Sequence, residues 1–160
     1  MKPTISVQTK SAKVDIGAVL NDLAGVQVFV GIPEANASRK GEPVNNAQLI
    51  YIHTNGSPLK GISKRPVIEP AIEAKGNKEP IAEELELAAK AALDGDRDQV
   101  LRHLKRAGLT AQNAVRKWFT DPRNGWAPNS PHTIARKGSD NPLIDKDEMR
   151  KAITYVVKEN

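Results

Sequence analysis

The stretch Val26–Ile32, VQVFVGI, decides the fold, because its three valines and its final isoleucine occupy every second position. Side chains of a strand point alternately to opposite faces, so these four residues share one face. The same alternation returns near the other end of the chain at Ile153–Lys158, ITYVVK. We predict that the two segments pair as antiparallel strands of one small sheet, which ties the C-terminus to the N-terminal half.

The residues from Asn77 to Thr120 follow the period of a helix instead of the period of a strand. They predict two helices, separated at Asp94-Gly95 and ended by Pro122, because the residue before a proline avoids the helical conformation. Each helix carries one apolar face, so we expect both to pack on one face of the sheet. Gly108 is expected to let another helix approach closely. The predicted core residues on these helices are Leu85, Leu101, Leu104 and Val115.

The fold class that follows is α+β: a small antiparallel sheet packed against long helices, with extended loops, in a single domain of residues 1–160. Shorter elements complete the prediction. They are a strand at Thr4–Thr9, a helix from Asp15 to Gly25, a loop at Pro33–Val44, a helix capped by Asn45 or Asn46 and stopped by Asn55-Gly56, a helix beginning at Pro66, and a helix capped by Asp145 or Asp147.

Composition limits the functional classes. The chain has a formal charge of +5 and no cysteine, so a thiolate metal site and a disulfide are excluded. No two histidines have zinc-ligand spacing, and no nucleophile-elbow or phosphate-loop motif is present. We therefore predict a non-enzyme without cofactor or metal, with no signal peptide and no membrane segment. His53 is expected to be a hydrogen-bonded structural residue, His103 a surface residue, and His132 a packing or interface residue.

One long loop, residues 122–145, stands out as the candidate functional segment. Its central part, NGWAPNSPHTIARKGSDNPLI, has neither the helix nor the strand period, and loops of this length are usually functional or disordered. Its apolar residues are spaced like anchors. We predict that the loop is an assembly arm that docks on a neighbouring subunit; the alternative is a clamp that folds back on its own domain. The predicted interface residues are Trp126, Ile134, Arg136, Lys137 and Leu143.

The loop and the strand after it carry a resemblance. The segment from Asn124 to Val157 resembles the C-terminal signature of tailed-bacteriophage virion-morphogenesis proteins, which are minor tail, tail-completion or neck proteins. The matching residues are Trp126, Pro128, Pro131, Thr133, Ile134, Lys137, Gly138, Pro142, Leu143, Ile144, Asp145, Met149, Arg150, Ile153 and Val156. A second segment, Ala47 to Ile72, is similar to the family's helix ending near His-x-x-Gly, followed by Arg-Pro and a short helix. The sequence departs from the pattern at Asp145-Lys146-Asp147, where the family has Asp-Thr-Gly, and at Thr54-Asn55, where it has Glu-Phe.

The resemblance implies a structural protein of the virion neck or tail top that forms a homo-oligomeric ring and takes part in head–tail joining or tail completion. It implies neighbours such as a connector or adaptor, a tail terminator or a tube protein, and residence in the virion after assembly in the host cytoplasm. The ring would surround the channel for genomic DNA, which it would contact without sequence specificity. The basic residues chosen as channel-facing are Lys60, Lys64, Arg65, Lys105 and Arg116.

Two other functional classes stay open at this stage. The basic side of the second long helix, with Arg102, Lys105, Arg106, Arg116 and Lys117, also suits a basic DNA-binding accessory protein. A hydrolase acting on cell wall or nucleic acid is the third hypothesis. The steep loss of DNA affinity with rising salt separates the DNA-binding hypothesis from the structural one.

Overall fold

The computed structural model describes residues 15–159 of the chain, and the strand predicted at Thr4–Thr9 lies outside them. The fold is α+β, as predicted: a two-stranded antiparallel sheet carries long helices. The elements are α1 Ile16–Ala24, β1 Val26–Gly31, α2 Glu34–Ala37, α3 Asn46–Asn55, α4 Ile68–Glu73, α5 Lys78–Leu93, α6 Arg97–Trp118, α7 Pro131–Lys137, α8 Glu148–Ala152 and β2 Thr154–Glu159. Short 3-10 turns occupy Pro58–Lys60 and Pro122–Asn124.

The two predicted strands pair with each other, which confirms the central prediction. Val28 lies opposite Val157 and Val30 lies opposite Tyr155, so the alternating apolar residues form one face together. On the other face, Phe29 lies opposite Val156, and both side chains are exposed. Within residues 15–159 the sheet is thus covered on one side only, as expected for a small antiparallel sheet.

Helix α6 crosses the covered face of the sheet at Gly108. A Cβ atom at that position would lie 2.5 Å from Cδ2 of Tyr155 and 3.0 Å from Cγ1 of Val28. The glycine therefore allows the two strands to approach α6 closely. The prediction of a close approach was right, but the neighbour is the sheet and not another helix. Glycine inside a helix costs about 1 kcal/mol relative to alanine, and the close helix–sheet contact gives the reason for it.

Helices α5 and α6 pack side by side, but not through all the predicted residues. Leu104 and Val115 are buried, which confirms two of the four core predictions, and Leu101 is partly buried. Leu85 was predicted wrongly, because its side chain is 45% exposed. The buried face of α5 is turned toward Ala88 and Ala91, small residues that allow close packing of the helices. Leu85 lies at the edge of that face.

Capping residues account for several of the element boundaries. Asp15 accepts hydrogen bonds from the backbone N–H groups of Gly17 and Ala18, and Asn45 forms a reciprocal capping box with Gln48. Gly56, at φ +72°, ends α3 as predicted. Asp147 precedes α8, but its carboxylate binds the Arg150 guanidinium instead of the helix N-terminus.

Three boundaries differ from the predictions. The predicted loop at residues 33–44 contains the single turn α2, and the long loop contains the short helix α7. Both are too short to show the period of a helix in the sequence. Helix α4 begins two residues after Pro66. In residues 15–159, no helix combines the length and the apolar character needed to cross a membrane.

Candidate functional site

The first half of the long loop packs on its own domain through Trp126. Its indole ring meets the Phe119 ring edge-on at a centroid distance of 5.8 Å, and Nε1 donates a hydrogen bond of 3.1 Å to the carbonyl oxygen of Pro66. Trp126 and Leu143 both border the core cluster that contains Val67 and Phe119. For these two anchors the structure corresponds to the clamp hypothesis. The assembly-arm hypothesis required Trp126 to find its pocket on a partner.

Arg65 joins the loop to the segment before α4. The residue is only 8% exposed, and its guanidinium donates to the carbonyl oxygen of Ala127, from Nε at 3.2 Å and Nη2 at 2.9 Å. Nη2 also donates to the carbonyl of Pro128 at 3.0 Å. The backbone N–H of Arg65 donates to the carbonyl of His53 at 2.7 Å. Arg65 therefore holds the end of α3 through its backbone and the start of the loop through its side chain.

His53 lies in the same region and carries a perturbed pKa. Burial lowers its pKa, and the nearby positive charge of Arg65 lowers it further. Its Nδ1 atom is buried and has no hydrogen-bond partner among the described residues. The expectation of a hydrogen-bonded structural histidine is therefore wrong for that ring nitrogen. A histidine in this setting is neutral at pH 7.

The second half of the loop is organised by α7. The Ser130 hydroxyl accepts from the backbone N–H of Thr133, and Gly138, at φ +71°, ends the helix. Lys137 donates from Nζ to the carbonyl of Asn141 at 2.8 Å, and burial lowers its pKa. Ile134 is partly buried and Arg136 is exposed. Of the predicted interface residues, Arg136 is thus the one most open to a partner.

The entrance to the loop is held by an ion pair. Arg123 binds the carboxylate of Asp121 through Nη2 at 2.6 Å and Nε at 2.9 Å, and its Nη1 donates to the carbonyl of Lys75. These bonds lower the pKa of Asp121 to about 2. The guanidinium also lies over the Trp118 ring, 5.7 Å from its centroid. The turn between α6 and the loop is therefore held by an ion pair, a hydrogen bond to the backbone and a cation–π contact.

The five basic residues chosen as channel-facing divide into two groups. Lys60, Lys64 and Lys105 are exposed. Arg65 is buried, and Arg116 donates from Nε to the carbonyl of Ile153 at 2.9 Å and from Nη2 to that of Lys151 at 3.0 Å. The choice of Arg65 and Arg116 as surface cations is corrected here, because backbone carbonyl groups of their own domain hold both guanidinium groups.

The other candidate residues are placed as follows. His103 was expected at the surface, but its Nδ1 lies 2.7 Å from Oε2 of Glu84 in the contact between α5 and α6, where both side chains are mostly buried. His132 is exposed. In residues 15–159, no three His, Asp or Glu side chains converge as a metal site would require.

The structure also shows a feature that the sequence reading missed. The loop between α3 and α4, residues 57–64, is called the Leu59 loop here. Leu59 lies in the 3-10 turn of this loop and its side chain is 101% exposed. No sequence signal separates this leucine from the buried ones, because a single apolar residue between Pro58 and Lys60 has no period.

The chain was compared with known proteins. No protein-family model, no curated protein and no solved structure is significantly similar to it.

Proposed function

We propose that the chain is a structural protein of a phage virion, located at the neck or tail top, where copies form a ring that takes part in head–tail joining or tail completion. One observation supports this best. The two segments that resemble the virion-morphogenesis family, residues 47–72 and 124–157, bind each other directly in the fold. Arg65 donates to Ala127 and Pro128, and Trp126 donates to Pro66. The residues of the resemblance thus form one structural unit, as expected if they are inherited together.

The arrangement of the long loop and the exposed basic residues suits the docking of subunits better than catalysis. Trp126 and Arg65 hold the first half of the long loop against the domain, and the second half presents the exposed Arg136 on helix α7. A pre-ordered surface loses less conformational entropy when a partner binds. The exposed Lys60, Lys64 and Lys105 supply the basic side chains that would face DNA or an acidic neighbour.

Deletion of the gene in the phage that encodes the chain tests this proposal. We expect electron microscopy of the lysate to show filled heads that are not joined to tails, or tails whose ends are abnormal. Supplying the wild-type gene from a plasmid should restore infectious particles. A Leu85→Ser chain, altered at an exposed site on α5, is the matched control and should restore them equally. Normal virions without the gene would refute the proposal.

A basic DNA-binding accessory protein is the second candidate function. The observation that favours it is the exposed side of α6, which carries the unpaired cations Arg102, Lys105 and Lys117 among the described residues. Binding of a duplex of mixed sequence should then weaken steeply as salt rises, because phosphate contacts release counterions. Binding that is absent at low salt would exclude this function.

A further inference from the structure

The Leu59 loop presents an apolar side chain to solvent on an ordered support. Ser57 and Ile62 exchange two backbone hydrogen bonds, of 2.8 and 2.9 Å, and so close the loop. Gly61, at φ +62°, makes the tight turn, and Pro58 begins the 3-10 turn that carries Leu59. An isolated exposed leucine is ordinary on a protein surface. A leucine that is fully exposed at the tip of a closed loop is suited to insert into a cavity elsewhere.

An open groove of about 430 Å³ lies between α3 and α4. Its floor contains the buried side chains of Ile50 and Val67, and its walls include Ile68 and the exposed ring of Tyr51. The groove is thus mostly apolar, and its volume is in the range of sites that bind ligands or side chains. Leu59 of the same copy does not enter it, because that side chain is fully exposed.

The charges on the two surfaces are opposite. Lys60 and Lys64 flank Leu59, and both are exposed. Glu69 is exposed at the groove. Among the described residues, none of these three forms an ion pair, whereas Glu73, four residues after Glu69, is bound by Lys78. The loop therefore offers an apolar tip with positive neighbours, and the groove offers an apolar floor with a negative rim.

We propose that the Leu59 loop of one copy docks in the α3–α4 groove of a second copy. The complementarity of shape and charge within one chain is the reason for choosing a second copy as the occupant. If two copies make this contact only once, it is heterologous, and such contacts close into rings when the rotation between copies allows it. The inference rests on the proposed function, because it names the contact by which the ring would form. Its first two tests use the purified protein in the absence of other phage proteins.

Sedimentation velocity over a dilution series tests the apolar part of the contact. We expect the wild-type protein to self-associate, and Leu59→Ser to weaken the association at least about tenfold, as for the central apolar anchor of an interface. Leu109→Ser, at a leucine of α6 that is 46% exposed, is the matched control and should leave it unchanged. A wild-type protein that stays monomeric at every concentration, or a Leu59→Ser protein that associates normally, would overturn the proposal.

Charge reversal tests the choice of partner surface. We expect Lys60→Glu with Lys64→Glu to weaken association, and Glu69→Lys to weaken it as well. The chain that carries all three changes restores opposite charges across the contact, so its association should recover toward the wild-type value. Absence of recovery, with both partial variants folded by circular dichroism, would refute the pairing of these surfaces.

Phage assembly separates this inference from the proposed function. A Leu59→Ser chain that fails to associate in solution should also fail to restore joined particles after gene deletion. If it restores them fully, the role of this contact in the ring is refuted, while the contact between copies in solution stands. If the wild-type gene is required for joining but the purified wild-type protein stays monomeric, the contact proposed here is refuted while the proposed function stands.

Discussion

The long loop at residues 122–145 and the Leu59 loop use apolar residues in opposite ways. In the long loop, Trp126 turns inward, contacts Phe119 and donates to the carbonyl of Pro66. In the Leu59 loop, the backbone closes on itself through Ser57 and Ile62, and the leucine points to solvent. The long loop is 24 residues and contains its own short helix, whereas the Leu59 loop is a single closed turn.

The difference shows that an apolar residue in a loop does not by itself mark a binding surface. Whether such a residue is buried or exposed depends on whether its own domain offers it a cavity. Arg65 helps to make one for Trp126, because it holds the carbonyl groups of Ala127 and Pro128 beside the core. Nothing in the described part of the chain covers Leu59. The predictions that follow test this contrast, beginning with the largest expected effect.

Trp126→Ala should destabilise the isolated subunit by about 3 kcal/mol, at the lower end of the range for truncating a large aromatic residue because the ring is half-buried. Chemical unfolding followed by circular dichroism measures the loss. The clamp hypothesis requires this loss in a dilute monomer. Unchanged stability of the monomer, together with failure to assemble, would instead support the assembly-arm hypothesis for Trp126.

Arg65→Met should cost about 2 kcal/mol, because two backbone carbonyl groups near the core lose a charged donor. Lys64→Met is the matched control, since Lys64 is exposed and makes no ion pair among the described residues. Limited proteolysis should cut Arg65→Met within the long loop faster than the wild-type chain. Equal cutting of both chains would show that the loop is held by its apolar anchors alone.

Stability should fall as the pH decreases below the ordinary pKa of His53, which is 6.5. The pKa is lowered in the folded state, so the unfolded chain binds more protons between the two pKa values and stability rises with pH there. His53→Gln should flatten the profile in this window, whereas His132→Gln, at an exposed residue, should not. A profile that is already flat in the wild-type chain would contradict the burial of His53.

A second decrease in stability should occur at lower pH. The pKa of Asp121 is lowered from 3.8 to about 2 by Arg123, so its contribution is present above pH 3.8 and is lost as the pH falls to about 2. Arg123→Gln should reduce the decrease in this window while leaving the His53 window unchanged. Urea unfolding at a series of pH values measures both. A change confined to the higher window would disprove the role assigned to Arg123.

Leu59→Ser should change the stability of the monomer by less than about 0.5 kcal/mol, because a fully exposed side chain loses no packing. The measurement is the thermal melting curve of dilute protein. A clear loss of stability would mean that Leu59 is covered within its own subunit. The contrast between the two loops would then disappear.

Local and periodic features of the structure could be predicted from the sequence. The strand pair formed by Val26–Gly31 and Thr154–Glu159 follows from the alternation of apolar residues. Helix α6 follows from a helical period that continues over its 22 residues. The caps at Asp15 and Asn45 are decided by neighbouring residues, so they too were visible. The whole α+β frame belongs to this class.

The tertiary structure alone decided which single residues face inward. Leu85 and Leu104 both lie on apolar stripes, yet only Leu104 is buried, because the contact between α5 and α6 is turned toward Ala88 and the Glu84–His103 pair. Arg65 resembles its neighbour Lys64 in the sequence, but backbone carbonyl groups more than 60 residues away accept hydrogen bonds from its guanidinium group. Contacts of this kind depend on the position of distant backbone, which no local pattern of residues encodes.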